Sequence, residues 1–243
     1  MVLSTPEDIL FIDAELLVIN KPAGLGTLPD GYDPSLPHVK SLLEVNFGRL
    51  WIVHRLDKDT SGALLLARTA AAHRHLNTQF EHGLVEKVYH ALVAGDVPWE
   101  EKTVDLPLRP NGDRRHRTVV DHTRGKPART ELRVLNRFQG YALLEARPRT
   151  GRTHQIRAHL AASGLPILGD ALYGGPPALY LSDLTPGLSW KGDERPLIAR
   201  PALHARSIGF LHPASGGRLC IEAPYPQDLD ITLRQCFLHL AHG

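Results

Sequence analysis

The chain is poor in the residues that hold metals and membranes. Only two of its 243 residues are cysteines, Cys220 and Cys236, and neither stands in a CxxC or mixed Cys/His spacing, which speaks against a zinc site. Fourteen histidines are present. Pairs such as His73 and His75 or His154 and His159 nevertheless lack the spacing of the common helical metal motifs, and no carboxylate joins them. No metal is expected, and most histidines read as surface or hydrogen-bonded core residues. No apolar run approaches the ~18 residues of a membrane span. The opening "MVLSTPEDILFID" has no basic segment followed by an apolar core. A cytoplasmic protein without a membrane partner is the expectation. Internal repeats and low-complexity tracts are also missing.

What is present is the composition of a folded domain, with 42% hydrophobic and 22% charged residues. The length suits one large domain, and a single domain over 1–243 acting as a monomer is expected. The formal charge of +2 rules out a uniformly basic coat, so distribution matters more than the total. Basic residues crowd into "RPNGDRRHRTVVDHTRGKPART" (109–130) and "RPRTGRTHQIRAH" (147–159). Both use mainly Arg and His, and Arg is the better fork for phosphate. Two basic surfaces facing a polyanion are expected.

Along the chain, "ILFIDAELLVINKPAG" reads as two strands around an Asp-Ala-Glu turn, and "VKSLLEVNFG" as a helix ended by Gly48. Leu50–Val53 and Ala63–Ala67 are apolar strands. A helix follows with Thr69 as N-cap, then the alternating strand "KVYHALVAG", which carries Tyr89. "TELRVLNRF" and "YALLEARP" form a hairpin around Gln139-Gly140, feeding a helix with Thr153 as N-cap and Ile156 and Leu160 inward. Two strands, "LHARSIGFLHP" and "RLCIEAP", and a terminal helix complete the chain. Hairpin strands interrupted by helices favour an α+β fold with a mixed, largely antiparallel sheet and flanking helices.

Two segments could carry chemistry. "HRLDKDTSG" (54–62) lies between apolar strands and holds more charge than a turn needs. Its second half, Asp59 to Gly62, has turn composition. Its first half places Asp57 beside Arg55, and an aspartate can serve as nucleophile, general base or ion-pair partner. A carboxylate held among buried strands needs a cation, because an unpaired charge is costly to desolvate. "TGRTHQIR" (150–157) can supply one, and its helix start can meet phosphate. A kinase-like reading of "HRLD" fails, since a Leu splits His-Arg from Asp and no metal-binding Asp-Phe-Gly follows. A glycosidase would want a second carboxylate, and Asp59 is better explained as a turn residue.

"NKPAGLGTLP", "HRLDKDTSG", "KVYHALVAG" and "TGRTHQIRAHLAASGLPILGDALYGG", in this order and spacing, resemble the RluA family of RNA pseudouridine synthases. The resemblance runs from about Leu10 to Pro224. It implies the pseudouridine synthase catalytic fold and conversion of uridine to pseudouridine in structured RNA, 23S ribosomal RNA or tRNA, without a cofactor. It further implies that Asp57 is the catalytic aspartate and Tyr89 the active-site tyrosine packed on the base. Arg157 would pair with the aspartate, and Arg55 would enter the RNA where the target nucleotide is extruded. His54, Arg152, His154 and Lys21 would face the RNA. Whether the aspartate attacks C1′ or C6, or assists base loss, stays open. The S4-like RNA-binding module of many relatives is not expected. Specificity then falls to the basic stretch 109–130 and to "PPALYLSDLTPGLSWKGDERPL". A non-catalytic RNA-binding or ribosome-assembly factor on the same fold is the alternative.

Overall fold

The computed structural model describes residues 8–31, 33–185 and 193–240. In chain order its elements are β1 (Ile9–Ile12), β2 (Leu16–Lys21), α1 (Val39–Phe47), β3 (Trp51–Ile52), β4 (Ser61–Ala67), α2 (Ala70–Glu81), β5 (Glu86–Ala94), β6 (Glu101–Asp105), β7 (Leu108–Arg109), β8 (Val119–Val120), β9 (Arg129–Phe138), β10 (Tyr141–Pro148), α3 (Gln155–Ala162), α4 (Leu181–Leu184), β11 (Leu203–Leu211), β12 (Arg218–Glu222) and α5 (Gln227–Leu240). The contacts divide the chain into two compact units, 1–88 with 204–224, and 89–203 with 225–243.

In the first unit, β4 is the central strand and all seven of its residues are buried. β2 and β3 pair with it antiparallel, β1 extends β2, and β11 pairs with it in parallel while pairing antiparallel with β12. Burial on both faces explains why β4 reads as a continuous apolar run rather than an alternating one. Ala63, Leu65 and Ala67 pack with Leu16, Val18, Leu76 and Phe210. The Thr69 hydroxyl caps α2 by accepting the Ala72 N–H at 3.1 Å, as its sequence position predicts.

The second unit is an antiparallel sheet in the order β5, β10, β9, β6, built on the β9–β10 hairpin. Its core joins Ala91, Val93, Leu143 and Leu144 to Ile156 and Leu160 of α3 and to Leu229, Leu233 and Cys236 of α5. The small β7–β8 ladder closes the base of the basic stretch 109–130. The fold is α+β with a mostly antiparallel sheet, as its strand and helix order predicts.

Two local expectations are corrected. Ser61 and Gly62 are not turn residues but the first two residues of β4. The turn is tighter and earlier, closed by the Thr60 N–H on the Asp57 carbonyl at 3.1 Å. The glycine is required by packing: with φ +115°, a Cβ at Gly62 would stand 2.2 Å from the Ala205 carbonyl oxygen of β11. The second correction concerns α3, which Thr153 does not cap. His154 is its N-cap, in the left-handed region at φ 51° and without a side-chain capping bond. The Gln155 side chain closes the loop before the helix instead: its Oε1 accepts from the Thr150 hydroxyl at 2.6 Å and the Arg152 N–H at 3.0 Å.

Candidate active site

Asp57 sits half-buried at the mouth of a loop pinned from several sides within its own unit. The Lys21 ammonium, fully buried, donates to the carbonyls of Pro22, Leu25 and Lys58 at 2.8, 2.8 and 3.0 Å. The Thr27 hydroxyl donates to the Leu56 carbonyl at 3.0 Å and accepts the Leu56 N–H at 3.2 Å. His54 Nε2 accepts the Leu65 N–H at 3.0 Å, and its ring stacks on Phe80 with centroids 5.1 Å apart. These bonds fix the residues on either side of Asp57, so the carboxylate is presented from a rigid turn rather than a mobile loop.

This placement changes two of the RNA contacts expected from sequence. Lys21 has no exposed surface and already meets three carbonyls, so it fastens the loop instead of reaching for phosphate. His54 spends its acceptor on the backbone. Burial, aided by the nearby Lys87 charge, pushes its pKa down to about 3. It is a neutral hinge pin at physiological pH, not a cation for RNA. Arg55 is exposed, in keeping with a side chain that reaches outward.

In the second unit, Tyr89 lies half-buried on β5 opposite Ala146 of β10. Arg157 is buried on α3, and its Nε and one Nη donate to the two carboxylate oxygens of Asp170 at 2.6 and 2.8 Å. The guanidinium carbon also lies 4.9 Å from the centre of the Tyr173 ring. The Tyr173 hydroxyl accepts the Thr118 N–H at 2.9 Å, donates to the Thr118 carbonyl at 3.2 Å, and lies 3.1 Å from His154 Nδ1. Burial raises the pKa of this phenol, so it stays protonated. Arg157 is thus gripped in a bidentate pair and stacked on a ring, an arrangement that Lys could not reproduce. Arg152 is half-buried, its Nε held by the Pro127 carbonyl at 3.1 Å.

Asp170, Tyr173 and Thr27 escape sequence reasoning. "LGDALYGG" reads as a Gly-rich loop, and nothing in its spacing says that Asp170 is 1% exposed and faces a guanidinium. The basic stretches are also less basic than their residue count. Arg109 pairs with Asp121 and Arg117 with Asp113, each at 2.6 Å, while Arg149 and Arg129 share Glu131. Backbone N–H groups, of Arg117 on Asp113 and of Arg124 and Thr123 on Asp121, together with these ion pairs hold Asp113 below the usual carboxylate range and Asp121 down to about 2. Part of the sequence expected as a specificity element, residues 186–192, lies outside the described residues. Among the described residues no helix is long and apolar enough to cross a membrane, and no cluster of three His, Cys, Asp or Glu side chains could hold a metal ion.

The sheet architecture is that of an RNA-modifying enzyme family. A sequence profile for RNA pseudouridylate synthase matches residues 15–162, spanning Asp57, Tyr89 and Arg157. The ribosomal large subunit pseudouridine synthase D of Zymomonas mobilis is 37% identical over 96% of this chain and 74% of its own length. The protein of the same name from Xanthomonas campestris is 41% identical, over 92% of this chain and 67% of its own. The solved structure of human RNA pseudouridylate synthase domain containing 4 superimposes with a TM-score of 0.74, at 27% identity, covering 96% of this chain and 94% of that one. The chain belongs to the RNA pseudouridylate synthase family, in its RluA branch. It is an isomerase that converts uridine in RNA to pseudouridine.

Proposed function

We propose that this enzyme acts on large-subunit ribosomal RNA and that Asp57 is the residue that reacts with the target uridine. The pinned turn carries the second half of the reading: three independent anchors, from Lys21, Thr27 and His54, are spent on holding one aspartate at a loop mouth. The first half rests on the names of the relatives, several of which are called large-subunit synthases. Fixed in this way, a carboxylate can attack C1′ or C6 of the uridine, or assist loss of the base, without a reorganisation cost at the moment of reaction.

Tyr89 and Arg157 complete the proposed catalytic set by their place in the matching blocks. Tyr89 offers a ring face for a base, a contact worth roughly 1–3 kcal/mol in single-strand recognition. Arg55 fits the group that fills the gap left by the extruded nucleotide, a step that costs a few kcal/mol and is cheapest in RNA loops. Arg152 and His154 remain the proposed phosphate contacts of the second unit. The enzyme works as a monomer in the cytoplasm under this proposal, and light scattering of the purified chain checks the first point.

Carbodiimide mapping of pseudouridine in ribosomal RNA and tRNA from a deletion strain is the decisive experiment. One ribosomal uridine is expected to lose its modification, to regain it with the wild-type gene, and to remain unmodified with Asp57→Ala. A change confined to tRNA would overturn the ribosomal assignment, and rescue by Asp57→Ala would overturn the role of the aspartate.

A further inference from the structure

The loop that precedes α1 encloses a second feature beside Asp57. Leu25 to Pro29 on one side and Leu36–Pro37 on the other border a cavity of about 340 Å³, with Arg55, Leu56 and Lys58 along its rim and floor. This volume falls in the range of small-molecule sites, roughly 300–1,000 Å³. Its floor is preformed. Leu25 and Leu56 are buried, the Leu25 carbonyl is held by Lys21, the Leu56 peptide is bracketed by Thr27, and the Gly26 carbonyl accepts the Val39 N–H at 2.9 Å. Its upper walls are Leu28 and Leu36, 39% and 42% exposed, two large apolar side chains left open to solvent.

The rim has the opposite character. Arg55 and Lys58 are both exposed and, among the described residues, their side chains have no ion-pair partner. Asp30 is the carboxylate on this rim, and its Oδ1 accepts the Asp33 N–H at 3.2 Å. An apolar slot that admits a flat group, flanked by two cations, matches the chemistry of a nucleotide: a base for the slot, phosphates for the rim. Neither a free phosphate nor an apolar peptide satisfies both halves.

We infer that this slot receives a nucleobase of the same RNA, from a nucleotide close to the target uridine, and is a specificity-determining subsite. The inference rests on Asp57 as the reacting group, because Leu56 in the slot floor is the residue immediately before it. The RNA that presents a uridine to Asp57 must run past Arg55 and Lys58. A neighbouring base unstacked by that path would otherwise leave its apolar faces in water. Seating it at Leu25, Leu28 and Leu36 returns part of the extrusion cost, and only RNAs that can spare that base bind well.

Photo-crosslinking tests the inference on the full chain. Transcripts of 23S ribosomal RNA and of tRNAs carrying 4-thiouridine are irradiated with the enzyme, and the adducts are located by peptide mass spectrometry. Adducts are expected on 25–29 or 36–37, joined to a nucleotide close to the modified uridine. Leu36→Glu should abolish them and lower kcat/KM roughly ten-fold, on the scale of one lost base contact, while Leu36→Met should keep both. Leu36 is partly exposed, so the charge is compatible with folding. Adducts found only elsewhere on the protein, or wild-type turnover by Leu36→Glu, would overturn the subsite. Asp57→Ala, run alongside, separates the two readings: its turnover reports on the aspartate, and its adducts still report on the slot.

Discussion

At the scale of single residues, charge burial and close approach dominate. Arg157 and Asp170 have side chains only 10% and 1% exposed. Removing Asp170 takes a bidentate contact away from a buried guanidinium, and losing one side of a buried pair costs up to about 3–5 kcal/mol. Asp170→Ala should therefore lower stability by that order in urea denaturation, and an Arg157→Met, Asp170→Leu double variant should recover part of the loss. A smaller loss in the single variant than in the double would show that a buried charge deprived of its partner is not the source of the single variant's loss. Gly62 gives a second case. A Cβ there collides with the Ala205 backbone, so Gly62→Ala should cost about 3 kcal/mol or more. Gly31, with open space around the equivalent point, should accept Ala within about 0.5 kcal/mol. The sequence could assign Gly62 a local role only, because the strand that forbids its side chain lies some 140 residues further along.

At the scale of elements, His54 ties the loop before Asp57 to β4, and its protonation state decides whether the tie holds. Its folded pKa is lowered to about 3 from the model-peptide 6.5. The unfolded chain therefore binds the proton more readily throughout that interval. The stabilisation is fully present above pH 6.5 and is lost as pH falls toward 3, reaching on the order of 5 kcal/mol at full extent by linkage. Urea midpoints measured between pH 6.5 and 5.5, above the range where ordinary carboxylates titrate, should fall for the wild type. They should fall less in His54→Gln, whose amide oxygen can still accept the Leu65 N–H without titrating, the remainder belonging to groups such as His159, whose pKa burial also lowers. Parallel slopes in the two proteins would assign the acid sensitivity elsewhere. Strands and helices of this kind are legible from sequence, since β4 is a continuous apolar run and α2 opens on a Thr cap. The start of α3 was not legible, because the Gln155 side chain, rather than Thr153, satisfies the loop. Nor could sequence separate His54 and Lys21, which fasten the loop, from Arg55, which projects. All three are polar residues in matching blocks, and only burial tells them apart.

At the scale of the whole molecule, net charge is a poor guide to RNA affinity and the distribution of unpaired charge a better one. The stretch 109–130 has seven Lys and Arg against two Asp. The structure assigns Arg109 and Arg117 to tight ion pairs and sets Arg124 3.7 Å from Asp121. Arg114, Arg115 and Lys126 remain exposed, and among the described residues none of the three forms an ion pair. Each unpaired cation that meets a phosphate releases a counterion, so the salt dependence of binding counts such contacts, at about 0.7 per contact for a single strand. Arg114→Gln, Arg115→Gln should flatten the plot of log Kd against log salt by about 1.4. The loss should be of similar size on substrate and non-substrate RNA, because phosphate contacts position without specifying. Arg109→Gln is the contrast: it frees Asp121 from its partner and should leave the slope nearly unchanged while loosening the β7–β8 base. Filter binding across a salt series distinguishes the two. An unchanged slope in the Arg114, Arg115 variant would remove this arm from the RNA interface and leave the phosphate contacts to Arg55, Lys58 and Arg152.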